Sequence, residues 1–307
     1  MPQIATAWID TMEALADLAD SLNVEEWRRP TDLPGWDVKD NVSHVAGLEA
    51  VILGWPQPDH ELPDGLAHVR DDLGRFMEGP VDVRRAWPTA DVVAELRRVI
   101  ATRRAAFAEG LPAADEKIPG MTGRPTAAVT VFGLRAFDCW AHEQDVRRAT
   151  GRDGNLDSDA ALVAYARIAG SLPYILGRSA VPAGTSLRAV VTGPVPFEVG
   201  ATMGETGAVA AALLTDATVV LTMDGADPRM PGLRTHSTRN GPRHDRRRCG
   251  ARRADPAVLR HNAVSGGPPA SDGLRGAVPG TVVRHERASA SESSNTAPAR
   301  GSTDGEA

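Results

Sequence analysis

The sequence of 307 residues has few cysteines, few aromatic residues and no long apolar run, and each shortage excludes a class of protein. Its two cysteines, Cys139 and Cys249, cannot build a disulfide framework, so we expect a cytoplasmic protein. No apolar run approaches the ~18 residues of a membrane span, so we expect no membrane segment. Residues 1–10 lack a basic stretch followed by an apolar one, so we expect no signal peptide.

A strong overall charge is also missing. The formal net charge of −6 gives no general attraction to nucleic acid or to a membrane surface. The hydrophobic content of 42% is enough for a folded core, although aromatic residues make up only 4%. The length suits about two domains.

The composition changes abruptly after residue 225. The remaining segment has no Phe, Tyr, Trp, Ile or Lys, and its 14 Arg against 8 acidic residues give it a charge of +6. Such a segment cannot bury enough apolar surface to offset its ordering entropy, so we predict that 226–307 is disordered. It is either the product of a frameshift or an ordinary extension. An arm that binds nucleic acid is disfavoured, because no aromatic residues alternate with the arginines.

Hydrophobic periodicity predicts helices up to about residue 178 and short strands after it. One helix is opened by Asp37 as its N-cap and ended by Gly54. The other predicted helices span 4–22, 66–78, 89–110, 127–150 and 157–177, and the predicted strands span 186–192, 196–199 and 217–223. The predicted class is therefore α+β, with a helical domain over 1–178, a partial α/β domain over 179–225 and the tail over 226–307.

Asp138 and His142 are four residues apart, so a helix places both side chains on one face. His44 lies in a separate predicted helix and can complete a set of two histidines and one carboxylate. Three protein ligands leave one position of a metal open, as in catalytic sites. Each histidine could instead be an ordinary core residue hydrogen-bonded to a neighbour. Burying all three without a partner would be costly, which favours a divalent cation.

The residues around this pair are weaker candidates for metal ligands. Glu143 points about 100° away from His142 on a helix, so it is a poor co-ligand. Asp145 could replace Asp138, or it could orient the His142 ring through a hydrogen bond. We interpret Cys139 as a small buried hydrophobic residue.

Three further residues could contact a ligand. Arg147 suits the C-terminal end of its helix, and it could instead bind an anionic ligand. His60 and His68 lie in or beside the polar loop that follows the second predicted helix, where each is a weak candidate for substrate contact.

Two segments carry a resemblance to a known family. Leu33–Asp40, reading LPGWDVKD, is followed by His44 and resembles the N-terminal signature of the DinB-like superfamily. Arg135–Ala149 resembles its second metal-binding helix. Together they are similar to the mycothiol-dependent maleylpyruvate isomerase family, and the resemblance covers about residues 5–225.

The resemblance implies a DinB-like four-helix bundle that holds a divalent metal, usually zinc, followed by a small α/β domain. It assigns His44, Asp138 and His142 as the ligands. The implied activity uses mycothiol as a thiolate that adds to an electrophile, for cis–trans isomerisation or for S-transfer. The alternative is a metal-binding DinB-like protein without catalysis. We expect a monomer whose partners are small molecules, with no nucleic-acid partner.

The sequence departs from the family pattern in two places. The family carboxylate is often Glu, whereas Asp138 is one methylene shorter. The family's second domain normally continues past the predicted strand that ends at Met223, and this sequence does not follow it there. The α/β domain is therefore predicted to be incomplete.

Overall fold

The computed structural model describes residues 1–121, 123–211, 214–225 and 234–236. Helices dominate the first part of this described chain and strands the second, which confirms the predicted α+β class. The helices are α1 Pro2–Asp20, α2 Val24–Trp27, α3 Val38–Ile52, α4 Asp72–Arg84, α5 Thr89–Glu109, α6 Ala128–Thr150 and α7 Asp159–Gly177. The strands are β1 Lys117–Pro119, β2 Pro125–Ala127, β3 Ser186–Thr192, β4 Phe197–Met203, β5 Ala208–Ala211, β6 Val219–Asp224 and β7 Arg234–His236.

Four helices form the predicted bundle. Helix α1 packs against α5 and α6, and α3 packs against the same two helices. The apolar stripes read from the sequence meet in the centre of the bundle. The buried core includes Trp8, Met12, Leu15, Val42, Val45, Leu96, Val99, Phe132 and Val146. Helix α4 packs on the outside of α3.

The start of α3 follows from its local sequence. The Asp37 side chain accepts a hydrogen bond from the Asp40 backbone N–H at 2.9 Å, and the Asp40 carboxylate accepts one from the Asp37 N–H at 3.1 Å. This reciprocal capping box confirms the predicted N-cap. It fixes where the helix that carries His44 begins.

Helix α7 lies between the bundle and a five-stranded sheet. It packs against α1 and α6 on one side and against β4 and β5 on the other. The strand order is β5-β4-β3-β6-β7, in which only the β3–β6 pair is parallel among the described strands. By length and composition α7 could also cross a membrane, a test that core helices of soluble proteins pass too. The expected absence of a membrane segment stays a prediction.

Several predicted elements differ from the structure. The third predicted helix, 66–78, is instead α4 at Asp72–Arg84, because Asp71 caps it and it continues through Pro80. The segment between the predicted helices 89–110 and 127–150 contains β1, which pairs with β2. Helix α2 and strand β5 were not predicted, and β4 is longer than expected.

The predicted tail lies almost entirely outside the described residues. Within it, the structure describes only Arg234–His236, which form β7 and pair antiparallel with β6. The disorder predicted for 226–307 stays a prediction. The boundaries proposed at residues 178 and 225 stay predictions.

Candidate metal centre

Helices α3 and α6 bring the three predicted ligands together. His44 on α3 and Asp138 and His142 on α6 each offer one ligand atom, and these atoms all lie within 4.8 Å of one another. His44 Nε2 is 3.4 Å from Asp138 Oδ2, and His142 Nε2 is 3.8 Å from Asp138 Oδ1. Residues from two helices that are far apart in the sequence therefore converge through the packing of α3 on α6.

The cluster is buried on one side and accessible on the other. His44 is 3% exposed, whereas the Asp138 side chain is 23% exposed. Trp36 covers both imidazoles, with its ring centroid 5.0 Å from that of His44 and 5.7 Å from that of His142. Trp36 belongs to the turn before α3, so the Leu-Pro-Gly-Trp segment forms a wall of the site.

The donor set fits a divalent cation. His44 Nδ1 is buried and has no hydrogen-bond partner among the described residues. Its Nε2 is too far from Asp138 for a short hydrogen bond. Protein groups alone therefore satisfy this imidazole poorly. Two imidazoles and one carboxylate are ligands that zinc accepts, and with three protein ligands a fourth position stays open.

Charges around the cluster keep the carboxylate ionised. Burial alone would raise the pKa of Asp138, but the adjacent Arg135 guanidinium opposes burial most strongly, and the pKa stays well below its usual value. Arg135 donates a hydrogen bond to Asp138 Oδ2 at 2.9 Å. Burial and the neighbouring His142 lower the pKa of His44, so its neutral form, which can bind a metal, is favoured.

Behind the cluster lies a buried network that we call the Glu49 network: Trp8, Glu49, Arg103 and Arg135. The Glu49 carboxylate is fully buried and accepts hydrogen bonds from Trp8 at 3.1 Å, Arg103 at 2.7 Å and Arg135 at 2.8 Å. These four residues come one each from α1, α3, α5 and α6. The network fixes Arg135, and Arg135 fixes Asp138.

The His142 ring is held from its other nitrogen. His142 Nδ1 lies 2.9 Å from Asn41 Oδ1 and 3.6 Å from Asp145 Oδ2. Asp145 also pairs with Arg148. The orienting role predicted for Asp145 stays a prediction, and Asn41 makes the shorter contact. Sequence reasoning missed Asn41, although it lies three residues before His44 and so shares a helical face with it.

The neighbouring residues of α6 are engaged elsewhere. Glu143 is buried and accepts hydrogen bonds from Thr11 and from Arg147, away from the cluster. The Arg147 guanidinium donates to Glu143 at 2.7 Å. The binding of an anionic ligand by Arg147 stays a prediction. Cys139 is a free, fully buried thiol whose pKa burial raises well above its ordinary value, in keeping with a structural role.

The two loop histidines do not join the cluster. His60 pairs with Asp82 at 2.7 Å, and His68 pairs with Glu78 at 3.0 Å, both on α4. Glu78 also accepts a hydrogen bond from Trp36 Nε1 at 2.7 Å. These contacts attach the loop between α3 and α4 to the outer helix and to the Trp36 wall.

Comparisons with known proteins relate part of this chain to a family model. No curated protein matches the chain. Two solved structures, of the mycothiol-dependent maleylpyruvate isomerase and of a point mutant of it, are similar at 15% and 14% identity, each with a TM-score of 0.48. Each match covers 76% of this chain and 92% of the other. Residues 8–147, which include all three clustered side chains, match the family model described as the mycothiol maleylpyruvate isomerase N-terminal domain. Over residues 8–147, which are less than half of the chain, this protein is therefore similar to the mycothiol maleylpyruvate isomerase N-terminal domain.

Proposed function

We propose that this protein is a zinc-dependent enzyme that uses mycothiol as a thiol cosubstrate. The observation that carries the proposal is the convergence of His44, Asp138 and His142 within 4.8 Å at a partly open site. The choice of mycothiol as the thiol is supported by the family model that residues 8–147 match, whose description names mycothiol. The reaction is addition of the thiolate to an electrophile, which ends either in cis–trans isomerisation or in S-transfer.

Each residue of the site has a distinct task. His44, Asp138 and His142 would hold the cation, which when bound supplies Lewis acidity and lowers the pKa of a thiol at the open position. Arg135 keeps Asp138 ionised and fixes its Oδ2. Trp36 covers the two imidazoles and keeps water from that side.

The remaining expectations accompany this proposal. We propose a monomer in the cytoplasm that acts on a small electrophile. A metal-binding protein without catalysis would have the same ligand cluster. Metal content therefore cannot distinguish the two functions, whereas reaction with a thiol can.

Metal content is the first test. We expect one equivalent of zinc per chain by elemental analysis of the purified protein, and loss of it in His44→Ala and in His142→Ala. His60→Ala is the matched control, because His60 pairs with Asp82 outside the cluster. Thermal unfolding of each variant checks that it is folded. Full zinc retention in the double variant of His44 and His142 would refute the metal site.

Thiol reactivity is the second test. The zinc-loaded protein is offered mycothiol or glutathione with a cis unsaturated diacid or with an alkylating electrophile. Isomerisation changes the diacid without net loss of thiol, whereas S-transfer consumes thiol and electrophile one to one. We expect turnover with mycothiol and at least tenfold less with glutathione. No turnover with any pair would leave the non-catalytic metal protein as the function.

A further inference from the structure

We propose that Asn41 is a positioning residue that sets the tautomer of His142, so that Nδ1 carries the proton and Nε2 presents its lone pair to Asp138. This inference rests on the proposed function where it treats His142 as a metal ligand. The tautomer itself is a property of the chain without metal.

The orientation of the Asn41 amide is fixed by two groups that act as acceptors toward it. Asn41 is fully buried, and its Nδ2 lies 2.9 Å from the Asp37 carbonyl oxygen and 3.2 Å from Thr31 Oγ1. A carbonyl oxygen has no proton to give, so the group that faces it must be the NH2. The Thr31 hydroxyl proton is already donated to the Trp36 carbonyl at 2.9 Å. Thr31 therefore also acts as an acceptor toward Asn41, and both Nδ2 hydrogens are used.

The other end of the amide must then be the acceptor. Oδ1 of Asn41 faces His142 Nδ1 at 2.9 Å, and a carbonyl oxygen can only accept. The second group near Nδ1 is the Asp145 carboxylate at 3.6 Å, which is also an acceptor. Both neighbours favour a proton on Nδ1. The hydrogen-bond network therefore places the proton on Nδ1.

The consequence falls on the opposite nitrogen of the ring. With the proton on Nδ1, the neutral ring has its lone pair on Nε2, which is 3.8 Å from Asp138 Oδ1. A lone pair and a carboxylate oxygen repel unless a cation lies between them. The Trp36 and Asp37 carbonyls of the turn before α3 fix the orientation of the Asn41 amide, and Asn41 in turn fixes the proton on His142 Nδ1. The turn thus determines that Nε2 is the nitrogen of His142 available to a metal.

The decisive measurement is long-range proton–nitrogen NMR of the imidazoles in metal-free protein. The His142 resonances are assigned by their loss in His142→Gln. We expect the nitrogen shifts of an Nδ1–H ring in the wild type and a shift of the population toward Nε2–H in Asn41→Leu. A wild-type ring protonated on Nε2 overturns the proposal whatever the variants do.

Zinc affinity, measured by competition with a chromophoric chelator, separates positioning from simple packing. Asn41→Leu removes the acceptor at similar volume and should weaken zinc binding about 10–100-fold. Asn41→Asp keeps an acceptor for Nδ1–H but loses both donated bonds, and its affinity should equal or exceed that of the wild type. Ser43→Ala is the control, since Ser43 is buried on the same helix and its Oγ has no hydrogen-bond partner among the described residues.

The remaining outcomes are also decisive. Equal weakening in Asn41→Leu and Asn41→Asp, or wild-type affinity in Asn41→Leu, overturns the positioning role. If the wild type binds no zinc, the proposed function fails, and the metal-free NMR spectrum still decides the tautomer. Metal-free thermal unfolding identifies a variant that does not fold, in which case the wild-type spectrum alone decides.

Discussion

At the scale of single residues, Gly35 shows how closely the turn before α3 is packed. Its φ of +83° is in the left-handed region, and a Cβ added to it would overlap Nδ1 of the His68 ring. Both the backbone conformation and the contact therefore require glycine. The turn can approach His68 this closely only because Gly35 has no side chain, and this places Trp36 over the two imidazoles.

We expect Gly35→Ala to destabilise the protein by more than the ~1–2 kcal/mol that a left-handed backbone costs an L-residue. Gly54→Ala is the matched control, because Gly54 has a φ of +74° and a Cβ added there would meet nothing within 4 Å among the described residues. The free energy of unfolding in urea measures both variants. Equal losses of unfolding free energy in Gly35→Ala and Gly54→Ala would show that the overlap with His68 adds no cost.

At the scale of elements, the start of α3 could be predicted because a single local signal sets it. An Asp before an apolar helical stripe is favoured as an N-cap whatever the tertiary structure does. The end of helix α4 could not be placed in the same way. Gly79 and Pro80 are typical of a helix end, yet α4 continues through Pro80 to Arg84. Arg84 donates to the Pro80 carbonyl at 2.7 Å and is fully buried against Glu95. That ion pair bridges α4 and α5, and no local pattern encodes it.

The capping box of α3 provides the prediction at this scale. Asp37→Ala removes the acceptor for the Asp40 N–H and should lower the free energy of unfolding by about 1 kcal/mol. Asp59→Ala, in an exposed loop, is the charge-matched control and should change the stability by less than about 0.5 kcal/mol. Equilibrium unfolding in urea compares them. A loss in Asp37→Ala no larger than in the control would mean that the cap contributes nothing to α3.

At the scale of the whole molecule, the sequence predicted the three side chains that cluster and missed the residues that hold them in place. His44, Asp138 and His142 could be predicted because their residue types and the i, i+4 spacing carry the signal. Glu49 and Arg135 could not, since a charged residue within a helix ordinarily reads as part of its solvated face. Their pairing depends on how α3 and α6 pack, which only the folded bundle shows.

The Glu49 network makes a prediction about the cooperativity of the bundle. Glu49→Gln keeps the shape of the side chain but leaves the Arg103 and Arg135 charges buried without their carboxylate, at a cost of about 3–5 kcal/mol. Arg103→Met alone should also destabilise the fold. The free energy of unfolding should fall less in the double variant than the sum of the two single losses, because the double variant removes both partners of one ion pair. The difference should be roughly 0.5–3 kcal/mol.

The matched comparison is Arg97→Met, which removes an exposed arginine of the same helix that pairs with Asp17 and Asp20. Surface pairs of this kind contribute about 0–1 kcal/mol, so this variant should be near wild type and additive with Glu49→Gln. Denaturant unfolding of the wild type, the single variants and the two double variants completes both cycles. Additivity of Glu49→Gln with Arg103→Met would show that α3 and α5 are not coupled through this carboxylate.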